Sequence, residues 1–232
     1  MPTIQQNLLQ LKDTIRALEK KYQRADNSVS LLAMSKGQSL EKLEAAIASG
    51  QRLFGENYLQ EALAKIAALT EPGLEWHFTG SIQSNKTRQI AEHFTWVHTV
   101  ASQKSAQRLN EQRPPQLPPL NICLEINVSQ EATKAGLREE KEIKALAEFC
   151  LSLPRLSLRG LMAIPVPRAT LVEQRAELHQ LVLLKEELCR QGYVLDTLSM
   201  GMTDDLEAAI AEGATYIRVG RGIFGPRSSP PP

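Results

Sequence analysis

The chain is poor in cysteine, aromatic side chains and net charge, and it holds no long hydrophobic run. Its three cysteines, Cys123, Cys150 and Cys189, are scattered and form no Cys-x-x-Cys pair, which argues against a disulfide framework and a zinc site. An odd count of this kind fits a reducing compartment. The 27 basic against 26 acidic residues leave a net charge of +1, so neither a dedicated nucleic-acid binder nor an anionic-membrane binder is expected. No apolar run approaches the roughly 18 residues that span a bilayer. The amino terminus shows no charged segment followed by an apolar one, so no secretory signal is expected and the expected location is cytoplasmic. The four histidines, His77, His93, His98 and His179, show no metal-ligand spacing, and no metal site is expected.

What is present is an ordinary globular composition: 232 residues, 42% hydrophobic and 23% charged. Ile4, Leu8, Leu11, Ile15 and Leu18 recur at helical spacing and predict an amphipathic helix at the amino terminus. Short apolar runs then alternate with helical patterns. Strands are expected at 29–34, 52–54, 75–78, 95–100, 121–128, 158–163, 195–200 and 216–219. Between them lie seven helical patterns, the longest over 139–153 and 171–190. Strict β/α alternation without hairpins implies parallel strands, and eight of them predict a single (β/α)8 barrel of the TIM type. A doubly wound open sheet is the alternative, but Ser35-Lys36-Gly37 after the first strand is not a Gly-x-Gly-x-x-Gly turn. After the last strand only 220–232 remain, which predicts no eighth helix and no carboxyl-terminal β domain. The amino-terminal helix is expected to close the gap between strands eight and one. Residues 1–225 are expected to form the barrel domain, and 226–232 a disordered Pro-rich tail. The Pro-rich stretch from Arg113 to Pro119 reads as a rigid loop at the bottom of the barrel.

Barrel sites lie at the carboxyl ends of the strands. Strand seven ends in Ser199-Met200-Gly201-Met202-Thr203, which offers two hydroxyls and a glycine ahead of a helix. Arg218 and Gly220 end strand eight. In this fold the loops after these two strands frequently bind phosphate. The competing reading is an ordinary turn with Thr203 or Asp204 as helix cap. Asp204 and Asp205 would repel a phosphate and are expected to turn away from it. Lys36 ends strand one; most such lysines are solvated strand ends, but here it would stand at the mouth of a barrel opposite the phosphate cradle. An amine joined to an anion site is what pyridoxal 5'-phosphate requires: an imine at one end and a held phosphate at the other. His77 and His98 read as strand or pocket-wall residues, and Trp76 and Trp96 as packing.

The blocks Leu32 to Lys36, Phe54 to Glu61, Trp76 to Lys86, Arg159 to Pro165, Leu198 to Asp205 and Arg218 to Gly225 carry a further signal. In this order they resemble the pyridoxal-phosphate homeostasis proteins (the YggS/PROSC family) over nearly the whole chain. The resemblance implies a fold like the barrel domain of alanine racemase, with pyridoxal 5'-phosphate (PLP) held as a Schiff base on Lys36. It implies that Asn57 and Met162 line the ring pocket, and that Ser199, Gly201, Met202, Thr203, Arg218 and Gly220 hold the phosphate end. The implied role is non-catalytic, in intracellular homeostasis of vitamin B6 and amino and keto acids, with PLP-dependent apoenzymes as recipients and a monomeric chain. Two departures stand out. Gly37-Gln38 occupy positions where many members carry Thr and a further lysine, and Arg221-Gly222 replace smaller residues. An amino-acid racemase or decarboxylase on the same barrel, and a Schiff-base aldolase acting through Lys36, remain the competing functions.

Overall fold

The computed structural model describes residues 2–131 and 133–226. Eight parallel strands close into a barrel in sequence order. They are β1 (Ser30–Met34), β2 (Leu53–Glu56), β3 (Glu75–Phe78), β4 (Trp96–Val100), β5 (Leu120–Ile126), β6 (Leu156–Ala163), β7 (Thr197–Ser199) and β8 (Tyr216–Val219). β8 returns to β1 with Ser30 opposite Tyr216 and Ala33 opposite Val219. Closure leaves no strand edge unpaired. Seven helices connect the strands: α2 (Leu40–Ala48), α3 (Leu59–Ala68), α4 (Thr87–His93), α5 (Gln103–Gln112), α6 (Glu140–Leu151), α7 (Leu171–Arg190) and α8 (Leu206–Ala211). The fold is the (β/α)8 barrel that the alternation of elements predicts.

Helix α1 (Ile4–Lys21) precedes the barrel and opens with a capping box between Thr3 and Gln6. Its buried residues Leu8 and Ile15 face the domain. It packs against α2, α8 and the short helix α9 (Arg221–Phe224). Asn7 Nδ2 donates to the Ile223 carbonyl at 2.9 Å, and Arg24 just beyond the helix donates to the Ala214 carbonyl at 2.6 Å. Thus α1 sits where an eighth barrel helix would, between the ends of the β8 and β1 repeats, as expected.

Several boundaries differ by one or two residues from the sequence reading, and three differences bear on the site or the packing. The stretch after β8 does form a helix, α9, one turn long, in which Ile223 and Phe224 donate to the Gly220 carbonyl. A single turn has no apolar period to read. β7 is shorter than the apolar run 195–200, because Asp196 turns outward to Arg159 on one side and the Gly201 turn ends the strand on the other. β6 begins earlier, at Leu156, opposite Leu120 of β5. Arg113 is buried below the barrel and donates to the carbonyls of Ala91, Phe94 and Pro118, which pins the Pro-rich loop as predicted. Apart from Pro226, the expected tail at 226–232 lies outside the described residues.

The main core fills the space between sheet and helices. Inside the barrel the filling is unusual. Trp96, Cys123 and Met162 form a separate cluster with Tyr216. Alongside them stand the polar side chains of His77, His98, Ser199 and Arg218, all buried. No helix among the described residues is long and apolar enough to cross a membrane.

Candidate functional site

The upper end of the barrel holds a cavity of about 560 Å³, built from the ends of β1, β2, β3, β7 and β8 and from Ile164 after β6. Lys36 enters it from the turn after β1 and is half-buried. That turn is closed by the Gln38 amide donating to the Ser35 carbonyl at 3.0 Å, so Lys36 and Gly37 are its two central residues. Asn57, after β2, reaches the same cavity. Thr79 Oγ1 donates to Asn57 Oδ1 at 2.9 Å, which leaves the amide NH2 as the group Asn57 can offer a ligand.

The loops after β7 and β8 meet on the other side of Lys36. Thr203, Met202, Gly220 and Arg221 line the cavity. A Cβ built on Gly222 would stand 2.9 Å from Val219 Cγ1, so glycine lets α9 pack close on the end of β8, and 3.8 Å from Thr203 Oγ1, which puts the start of α9 beside that hydroxyl. The opening amides of α9 have no carbonyl within their own helix. This is a cradle of hydroxyl and backbone donors suited to an anion. Closure of the barrel makes β8 the neighbour of β1, and a Cβ on Gly220 would stand 3.2 Å from the Met34 carbonyl. Lys36 therefore stands beside the cradle rather than opposite it, a correction to the sequence reading.

Arg218 is buried at the floor of the cavity. It is tied to the two preceding strands: one Nη donates to Ser199 Oγ of β7 at 2.9 Å and the other to the Ala163 carbonyl of β6 at 2.9 Å. Burial pushes its ordinarily very high pKa down to about 10, so it remains cationic at neutral pH. Ser199 Oγ is also 2.8 Å from His98 Nδ1, and His98 Nε2 is 3.0 Å from His77 Nδ1. Burial lowers both imidazoles, His77 to about 3, and the neighbouring Arg218 charge lowers His98 further. Both rings are neutral, and the row Arg218–Ser199–His98–His77 crosses the barrel interior from β8 and β7 to β4 and β3, with its one full charge on Arg218.

Of the residues singled out in the sequence, Lys36, Asn57, Met202, Thr203, Arg218 and Gly220 come together in the cavity. Met162 does not: it is fully buried lower in the barrel against Trp96 and Cys123. Ser199 lies beneath the floor and touches the cavity only through Arg218. Gly201 has a φ of +93°, and a Cβ there would stand 2.3 Å from Ala209 Cβ, so its glycine serves the packing of the turn on α8 rather than the approach of an anion. The Met202 amide is already given to Asp205 Oδ1 at 2.5 Å, which leaves the half-exposed Met202 side chain to face the cavity. Asp205 thus turns inward to the backbone. Asp204 stands at the cavity rim, with its side chain exposed and 3.6 Å from Arg221 Nη2. Gln38, Thr79 and Ile164 also line the cavity and were not singled out in the sequence as ligand-binding. Thr79 was legible as the residue after a barrel strand, whereas Gln38 and Ile164 carry no signal of their own.

The alanine racemase N-terminal domain family profile matches residues 6–228 of the chain. A pyridoxal phosphate homeostasis protein of Pseudomonas aeruginosa is 53% identical over 227 residues, covering 98% of this chain and 97% of that protein. Its counterpart from Escherichia coli K12 is 46% identical over 230 residues, covering 98% of each. Among solved structures, PipY of Synechococcus elongatus PCC7942 with PLP bound superposes with a TM-score of 0.79 at 38% identity, covering 91% of this chain and all of that one. With the barrel, the amine beside an anion cradle and near full-length identity all in agreement, the chain belongs to the pyridoxal phosphate homeostasis protein family.

Proposed function

We propose that this protein holds PLP as a Schiff base on Lys36 and serves, without turnover, in intracellular homeostasis of vitamin B6 and of amino and keto acids. The observation that carries the reading is the placement of one amine, Lys36, next to the donor cradle of Thr203 and the α9 amides in a cavity floored by a cation. PLP held there would offer an aldehyde with which the Lys36 amine could condense, releasing water and replacing C=O by C=N. The names of the relatives and the PLP bound to PipY support the same cofactor here.

Arg218 is tied at the cavity floor to Ser199 of β7 and the Ala163 carbonyl of β6, so in this reading it meets the ring rather than the phosphate. A guanidinium against the pyridine nitrogen keeps that nitrogen unprotonated and weakens the ring as an electron sink, which fits a carrier better than a catalyst. Within the same proposal residues 1–225 act as one PLP-binding domain, a monomer of the cytoplasm. PLP-dependent apoenzymes are the recipients, and neither nucleic acid nor membrane is a partner. The test is borohydride reduction of the PLP-loaded protein with peptide mapping, together with Lys36→Ala. The reduced cofactor is expected on Lys36, and the variant is expected to lose the visible imine absorption while its fold and part of its phosphate-dependent binding persist. An unchanged imine absorption in Lys36→Ala would defeat the assignment.

A further inference from the structure

Lys65 lies on α3 and is only 4% exposed, although a lysine costs several kcal/mol to bury unless its charge is met. All three of its ammonium donors are used. They reach the Ser35 carbonyl, Glu56 Oε1 and Glu61 Oε1, each at 2.6 Å. Glu56 Oε1 also accepts from Ser35 Oγ at 2.6 Å, and Glu61 Oε1 accepts from the Gly37 amide at 2.6 Å. The cluster therefore grips the chain immediately before and immediately after Lys36. Ser35 is held at its carbonyl and its hydroxyl, Gly37 at its amide, and Lys36 is the residue between them.

We propose that Lys65, acting through Glu56 and Glu61, is a positioning residue for Lys36: it locks the turn after β1 so that the Lys36 amine is presented to the aldehyde of the cofactor. The inference rests on the reading of Lys36 as the attachment point. A role in stability alone does not account for the cluster, since a buried ion pair can often be replaced by apolar side chains of similar volume at little cost. Nor would a merely structural lysine need to touch the turn. Here one helix supplies a cation and a carboxylate, β2 supplies the second carboxylate, and two of the three groups bond directly to the backbone that flanks Lys36.

Glu61→Ala is the mild test, because the Glu61 side chain is partly exposed and its removal leaves Lys65 bonded to Glu56 and Ser35. Lys65→Met is the strong test. The double variant Glu56→Gln/Lys65→Met, which leaves no unpaired Glu56 charge, replaces it if that chain does not fold. Two readouts are needed. In the cofactor-free protein, the Gly37 amide should be protected from hydrogen exchange and should exchange at least about tenfold faster in Glu61→Ala. With cofactor, imine formation from PLP should slow about tenfold. Affinity for pyridoxine 5'-phosphate, which keeps the phosphate but has no aldehyde, should change by less than about twofold. Unprotected Gly37 in the parent, an unchanged imine rate in the variants, or equal losses for both ligands would each overturn the positioning role. A parent protein that forms no imine at all defeats the functional reading itself, and the positioning role with it.

Discussion

Two ionisable side chains of the barrel, the buried Arg218 and the half-buried Glu125, answer to ligand and to pH respectively. Arg218 is the cation under the cavity, and Glu125, on β5, is the carboxylate that senses it. Burial pushes Glu125 up to about 7 against the pull of Arg218, from an ordinary value of 4.5. Between those two values the folded chain holds a proton that the unfolded chain has lost, so stability falls as pH rises through that window. Glu125→Gln removes the charge that burial opposes. It should therefore raise the melting temperature at pH 8, by a stabilisation of at most about 3 kcal/mol, and the gain should vanish at pH 4. A gain that is the same at both pH values would show that the carboxylate is not the cause. For Arg218 the ligand is the readout. Arg218→Gln removes a charge-assisted contact worth roughly 1.5–3 kcal/mol, so PLP affinity should fall about tenfold or more. Titration of the variant with PLP measures it, and equal affinity in variant and parent would remove Arg218 from the site.

At the scale of the element, α1 is joined to β1 by a single buried carboxylate. Glu19 is 1% exposed and accepts from the Val29 amide at 2.8 Å, the Ser28 hydroxyl at 3.2 Å and the Asn27 amide at 3.3 Å. Glu19→Ala strands the buried Val29 amide, so the variant should lose about 1–3 kcal/mol in urea unfolding while imine formation at Lys36, at the far end of β1, is unchanged. Elements of this kind mark the limit of what a sequence shows. The amphipathic period of α1 was legible because Leu8 and Ile15 repeat on one face, and the strands because parallel strands covered on both faces read as apolar runs. Lys36, Thr203 and Arg218 were legible because barrel chemistry collects at strand ends. Glu19 and Lys65 were not, because a charge in a helical pattern reads as solvent-facing, and neither was the pairing of Glu56, a carboxylate at the end of β2, with Lys65 on the next helix. Likewise the inward position of Met162 beneath the site follows from strand register, which periodicity alone does not fix at the level of one residue.

At the scale of the whole molecule, the described residues place one amine, Lys36, in the cavity and no second proton donor of the right kind, and this bears on its relation to enzymes of the same fold. Racemisation through a cofactor imine needs a proton donor on each face of the amino-acid α-carbon. Lys36 supplies one. Among the described residues lining the cavity, the other titratable groups are Asp204, Arg218 and Arg221. Asp204 faces Arg221 at the rim, and Arg218 is a cation held by Ser199 and Ala163. The four tyrosines stand elsewhere. Tyr22 bonds to Glu207 on the outer surface, Tyr58 caps α3, Tyr193 packs on the outer core, and Tyr216 packs against His77 and Trp96 inside the barrel. The PLP-loaded protein should therefore fail to interconvert alanine enantiomers at the 1–10³ per second of ordinary enzymes. Chiral chromatography of alanine incubated with the holoprotein measures this. Slow α-proton exchange in D2O is compatible with the assignment, since a bound imine acidifies that proton without help. A turnover within the enzyme range would overturn it, and loss of that turnover in Tyr58→Phe would identify the second base as the phenol nearest the end of β2.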